Sequence, residues 1–345
     1  MAASVVSQLF NRADADIVLR SSDNVDFRLH KLILGMASPI FSDMLTLPDL
    51  PGQGEQPQVV EVQETATTLE GLLPFCYPMV RPVLLHIDHL QSVLRAAEKY
   101  EMTFISSQLL CNLRLFLPAE PLRVYATACM REDADLARVA VKVLLGRYPL
   151  YDPHDPPPEF DYLPAIALAK FEAYRMDCAT AARSVLLDLG TMPSGFPSRS
   201  VSVSRKGNVD TSNAWIWLAC RSCDGGSVQV SVSNAATGHG QSLTAWWQEY
   251  SDMVAKELEL RPLASVVTET RFIRPAIARA AECKTCGPRA AVHLTEYAEA
   301  MAKKIEDALS KVVLVLPFHQ TEEGLEEVYQ PAGVADLVAE EDKEE

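Results

Sequence analysis

The chain has no apolar run long enough to cross a bilayer. Its longest late stretch, Val312 to Phe318, falls far short of the roughly 20 residues a spanning helix needs. The opening MAASVVSQLFNR lacks the charged start and sustained apolar core of a secretory leader, so an intracellular protein is expected, with cytoplasm and nucleus left open. No hydroxyl sits in a nucleophile elbow, no glycine loop joins a strand to a helix, and Gly52-Gln53-Gly54 lacks the third glycine of a dinucleotide fingerprint. Catalysis has no visible residues, and a non-enzymatic protein is expected. Clustered Lys and Arg are scarce as well. Of the net charge of −15, residues 322–345 hold −9, with ten acidic side chains against Lys343 alone. A surface that displaces counterions from phosphates is not expected, so neither nucleic acid nor membrane is an expected partner. Eight cysteines in 345 residues are too few for a disulfide scaffold, and Cys111 and Cys129 fall on apolar helical faces.

What is present is ample apolar content, 48%, and a length that suggests roughly two domains. The most informative stretch is residues 14–45. Asp16 opens the β-rich run Ile17-Val18-Leu19, Ser21 to Asn24 supply turn chemistry, and Val25, Phe27 and Leu29 alternate as a half-buried strand does. The period then becomes helical from His30-Lys31, and Ser38-Pro39 starts a second helix with a side-chain cap and a proline at its first position. Ile40, Phe41, Met44 and Leu45 form its apolar face.

This order of residues resembles the BTB/POZ domain, whose pattern reads D-hydrophobic-hydrophobic, F-x-hydrophobic-H-K, hydrophobic-L and S-x-hydrophobic-F-x-x-M. The resemblance continues through Val59-Val60-Glu61-Val62, the helix Leu69 to Tyr77 followed by Pro78, and the run Asp88 to Met102, covering residues 14–117. It implies an α/β (α+β) domain that self-associates or docks protein partners. It also implies that Asp16 and Lys31 match the charged pair lining the dimer pocket; two readings stand equally, a buried ion pair whose loss would cost roughly 3 to 5 kcal/mol, or separate local backbone and surface roles. Swapped BTB dimers use a longer N-terminal segment than the one preceding Asp14, so a monomer or weak dimer is expected.

Beyond residue 117, helical spacing predicts two amphipathic helices through Leu122–Cys129 and Leu136–Leu144. A proline-rich loop follows at residues 152–158, then two further helices, Ala165–Arg175 and Cys178–Leu189. This all-α extension spans residues 118–190. Thr191 to Asn213, rich in Ser, Pro and Gly, reads as a flexible linker. A mainly helical C-terminal domain spans 214–321 and ends in a long helix with one apolar face from Leu294 to Val312. Residues 322–345 read as a solvated acidic tail. Within the first third, Pro74 is expected to kink or shorten a helix capped by a box at Thr67 and Glu70.

Two CxxC pairs, Cys220-Arg221-Ser222-Cys223 and Cys283-Lys284-Thr285-Cys286, are the one constellation of chemical interest. About 0.2 such pairs are expected by chance in a chain with this many cysteines. Four thiolates suit a tetrahedral zinc, and each CxxC turn aims two sulfurs at one ion. About 60 residues separate the pairs, more than compact zinc ribbons use, so the fold must bring them together. Three readings stand: a structural zinc on Cys220, Cys223, Cys283 and Cys286; buried reduced thiols; or thiol-disulfide exchange. This half resembles fungal-type BTB proteins with similar paired cysteines. Trp215-Ile216-Trp217-Leu218 is expected as a strand leading into the first pair. The tryptophans are expected in a core, His30 as a structural residue and His239 as a solvated loop residue, while His293, seven residues past Cys286, is close enough in sequence to approach a metal site that four cysteines already complete.

The expected function is a protein-interaction adaptor acting through the BTB/POZ-like domain. One alternative is a substrate-recruiting adaptor of a cullin-type ubiquitin ligase; the others are a CxxC thiol-disulfide protein and a DNA-binding regulator, the last disfavoured by acidity.

Overall fold

The computed structural model describes residues 5–45, 57–187, 202–203, 209–210, 215–220, 222–223, 229–230 and 241–318. Most of the expected linker at 191–213, the whole acidic tail at 322–345 and His239 lie outside the described residues. The chain divides into two units, residues 1–120 and 121–345.

The first unit opens with β1 (Val5–Asn11), β2 (Ile17–Arg20) and β3 (Val25–Leu29). The Ser21–Asn24 turn joins β2 to β3. Ser21 Oγ accepts the N–H of Val25, and Asn24 takes the left-handed φ of 61° that its short polar side chain tolerates. β2 and β3 pair antiparallel with Ile17 opposite Leu29 and Leu19 opposite Phe27, which puts four fully buried side chains on one face. With β4 (Gln58–Glu61) parallel to β2 and β1 parallel to β3, the sheet order is β1-β3-β2-β4.

The same unit holds α1 (Lys31–Ala37), α2 (Pro39–Leu45), α3 (Ala66–Leu72), α4 (Ile87–Lys99) and α5 (Thr103–Leu113), with α1 packed on α2, α3 on α4 and α4 on α5. Ser38 Oγ accepts the N–H of Phe41, as a cap before proline should, and Phe41 stacks on Tyr100 at 4.5 Å. Pro74 does shorten the third helix: α3 stops at Leu72 and a single 3₁₀ turn carries Leu73–Phe75. The cap is Thr65, which accepts the N–H of Thr68, two residues before the box expected at Thr67 and Glu70. Gly71 is required by contact, since a Cβ there would stand 2.5 Å from Val93 Cγ2 on α4.

The second unit comprises α6 (Pro121–Met130), α7 (Ala134–Leu144), α8 (Ala165–Leu187), α9 (Ile216–Ala219), α10 (Ala245–Leu260), α11 (Thr270–Ala281) and α12 (Gly287–Leu309). Two short antiparallel pairs accompany them: β5 (Ser202–Val203) with β6 (Val209–Asp210), and β7 (Gln229–Val230) with β8 (Gln241–Ser242). Asp133 caps α7 by accepting the N–H of Leu136. The two helices expected at 165–175 and 178–189 are one helix, α8, because Met176 and Asp177 neither cap nor break it. Ala182 and Leu186 at its end share a core with Trp215, Trp217, Trp246, Trp247, Tyr250 and Tyr297. The helical extension and the cysteine-bearing segment thus contribute to one hydrophobic interior.

Trp215 to Leu218 is not a strand. Trp215, Ile216 and Trp217 are all buried, and the backbone N–H of Ile216 is taken by His293 Nδ1 instead of by a neighbouring strand. Ile216–Ala219 instead coils into the single turn α9.

Candidate functional site

The second unit closes about 60 residues of chain onto one point. Ile216 donates its backbone N–H to Nδ1 of the buried His293 at 3.0 Å, tying the Trp215–Cys220 arm to α12. Trp215 stacks on Trp217 at 4.9 Å, Trp217 stacks on Trp247 at 5.8 Å, and Tyr297 meets all three edge-on. The second cysteine pair lies in the turn between α11 and α12. There a Cβ on Gly287 would approach the Ala281 backbone to 3.3 Å, so glycine permits the tight exit.

The four sulfurs converge as the sequence proposes. Sγ atoms of Cys220, Cys223, Cys283 and Cys286 lie within 4.8 Å of one another. The shortest separations are 3.7 Å for Cys220–Cys223, 3.7 Å for Cys220–Cys283 and 3.5 Å for Cys223–Cys286. A zinc–sulfur bond of about 2.3 Å in a tetrahedron places sulfurs about 3.8 Å apart, which the cluster matches closely. Four cysteines this close can hold a metal ion.

The surroundings of the sulfurs differ. Backbone N–H groups of Cys286 and Thr285 reach Cys283 and hold its pKa down at about 6. Burial pushes Cys286 up to about 11 and raises Cys223, whose thiol also bonds its cysteine neighbours. A bound metal would make thiolate the favoured form of all four. The Trp246 indole N–H, buried and without a conventional hydrogen-bond partner, favours the Cys286 thiolate. Ser222 and Thr285, the third residues of the two pairs, meet across the outer side at 3.3 Å. His293 stays structural. The repeated basic-then-hydroxyl filling of both pairs, Arg221-Ser222 and Lys284-Thr285, was a legible sign that the two turns belong together.

Among the remaining cysteines, burial raises Cys178 and pushes Cys76 to about 12 and Cys129 to about 11. Cys111 is exposed, a correction to its expected apolar face, because the inward stripe of α5 runs through Ile105, Leu109 and Leu113.

In the first unit Asp16 and Lys31 do meet, with Asp16 Oδ1 accepting the backbone N–H of Lys31 at 2.7 Å. Asp16 is exposed, so its carboxylate caps the first turn of α1 rather than forming a buried ion pair. His30 is structural, with its ring and its N–H both on the Tyr77 hydroxyl. Sequence reasoning missed the neighbouring apolar pair: Leu32 and Met36, one turn apart on α1, are 73% and 81% exposed. Phe104 on α5 is also exposed.

No helix among the described residues is long and apolar enough to cross a membrane. No curated protein matches the chain. The small mixed sheet with its helices has a family counterpart: residues 6–113 match the model of the BTB/POZ domain, so the first unit carries that domain.

Proposed function

We propose that this protein is a non-enzymatic intracellular adaptor that docks protein partners through its BTB/POZ domain, while a structural zinc staples its second unit. The observation that carries the interaction role is the domain match, because BTB/POZ domains are generally protein-interaction modules. The exposed Leu32 and Met36 supply an apolar anchor beside the Asp16–Lys31 contact, which we assign to the partner or dimer pocket. Replacing Leu32 and Met36 together by Glu in the full chain, followed by affinity purification and mass spectrometry, tests the reading. Loss of specific partners is expected, and an unchanged partner set would refute the assignment of this face.

Zinc fits the cysteine centre by sulfur spacing, by backbone N–H groups on Cys283 and by the Trp246 donor beside Cys286. A zinc tetrathiolate carries a formal charge of about −2. Arg221 and Lys284 place two cations beside it in sequence. Reduced thiolates of this kind suit an intracellular setting. Elemental analysis of the purified chain should give one zinc per molecule.

A further inference from the structure

The four sulfurs are not equivalent. Cys286 is fully buried and Cys220 is 9% exposed, whereas Cys223 and Cys283 are partly exposed, so each CxxC turn offers one inner and one outer sulfur. The contacts cross between turns. Outer Cys283 touches inner Cys220 at 3.7 Å, and outer Cys223 touches inner Cys286 at 3.5 Å. Each solvent-facing sulfur therefore has a buried sulfur of the opposite turn waiting at van der Waals distance.

We propose that this centre is an oxidant-sensing modification site, in which hydrogen peroxide converts the zinc tetrathiolate into two cross-turn disulfides, Cys220–Cys283 and Cys223–Cys286, and expels the metal. The inference rests on the zinc reading. In the first step an outer thiolate attacks the peroxide O–O bond, giving a sulfenic acid and hydroxide. The inner thiolate of the opposite turn then attacks that sulfur, forming the disulfide and releasing a second hydroxide. Each peroxide removes two electrons from two sulfurs. Two peroxides thus oxidise all four thiolates to two disulfides and yield four hydroxides and one Zn²⁺. Charge balances at −2 on both sides.

The product has a structural consequence. Both disulfides join the Trp215–Cys220 arm's neighbourhood to the α11–α12 turn, the same two places the metal joins, so oxidation exchanges one cross-link for another. Disulfides within each turn would instead cut the link. Cys220 also touches Cys223 at 3.7 Å, so the two outcomes compete and a peptide map separates them. All four tryptophans of the chain sit in the core beside the centre, and their emission reports whether it stays closed.

The test uses the full chain carrying Cys111→Ser, which removes the exposed thiol outside the centre. Zinc is first counted by elemental analysis, then hydrogen peroxide is titrated in the presence of a zinc indicator, followed by non-reducing digestion and mass spectrometry. Expected are one zinc released per two peroxides, peptides linked Cys220–Cys283 and Cys223–Cys286, near-native tryptophan emission, and recovery on adding dithiothreitol with zinc. A chain that carries no zinc before oxidant overturns the metal reading and the switch with it. One that carries zinc and keeps it against several equivalents of peroxide overturns the switch alone. Linkage confined to Cys220–Cys223 and Cys283–Cys286 overturns the cross-turn assignment.

Discussion

Replacing Cys283 by Ser should loosen the second unit by an amount that follows from the loop it closes. Cys220 and Cys283 are 63 positions apart. Cross-linking a loop of that size removes conformational entropy from the unfolded chain worth about 4 kcal/mol at room temperature. Opposing total collapse, Trp215 and Trp217 are buried, and at about 150 to 250 Å² each and about 25 cal/mol/Å² they anchor the arm by roughly 8 to 12 kcal/mol before entropy is charged. The apolar anchor is the larger, so Cys283→Ser should leave a folded but weakened unit. A loss of about 4 kcal/mol in a unit of this size corresponds to a fall in melting temperature of about 8 to 16 °C. Tryptophan fluorescence is the assay, since all four indoles lie in this core. Chelation of the wild-type chain should reproduce the shift, Cys220→Ser should match Cys283→Ser, and the double variant should add little because either single change already opens the site. A metal-free wild-type chain whose melting ignores both chelator and Cys283→Ser would refute the reasoning.

Asp16→Ala should cost about 0.5 to 2 kcal/mol, the value of a lost helix cap, and a denaturant-melt loss of 3 kcal/mol or more would restore the buried-pair reading. Gly71→Ala drives a methyl into Val93, which is fully buried on α4, so a loss of about 1 to 3 kcal/mol is expected in the first unit by chemical denaturation. Burial opposes ionisation of Glu64, but Lys99 Nζ at 2.7 Å and the Tyr100 hydroxyl outweigh it and hold its pKa below the usual glutamate value. A depressed folded pKa gives stability that is present above the unfolded pKa and lost as pH falls through the folded one, so Glu64→Gln should flatten the acid limb of the first unit's stability profile below about pH 4.5. Glu159 clamps Arg123 through both carboxylate oxygens while 3% exposed, so Glu159→Ala should cost about 3 to 5 kcal/mol and Arg123→Met should recover much of it in the double variant.

Local chemistry made the first unit readable. The alternation of Val25, Phe27 and Leu29, the Ser38-Pro39 start and the Pro74 interruption each act within a few residues, and each appears where the sequence puts it. One reading failed because the deciding contact is distant, and one was left open for the same reason. Trp215 to Leu218 takes its shape from His293, 77 positions from Ile216, and no pattern of four apolar residues reveals that. Asp16 and Lys31 are adjacent as expected, yet burial is a property of what covers them, and the carboxylate faces water. The α8 helix was split in reading because its apolar stripe changes neighbours along its length, serving Tyr125 through Ala167 and Phe171 early and the tryptophan core through Ala182 and Leu186 late.

The wide spacing between the cysteine pairs then has a physical account. Compact zinc modules keep their ligands close in sequence because the metal supplies most of what holds them folded. Here the two turns are delivered by elements that already have an interior: the arm by its tryptophans and its bond to His293, the second turn by α11 and α12. Loop-closure entropy grows only logarithmically, so a spacing of about 60 residues instead of about 15 raises the closure cost by only about 1.2 kcal/mol, well within what the aromatic contacts offset. A metal seated on a preformed core fixes geometry more than it creates fold. For the same reason a dissection of this chain should cut between Glu120 and Pro121, where the units part, and not between α8 and the arm. A cut at residues 190–213 would strip Ala182 and Leu186 from the core that presents the sulfurs, and the fragment's metal affinity would then report the damage and not the site.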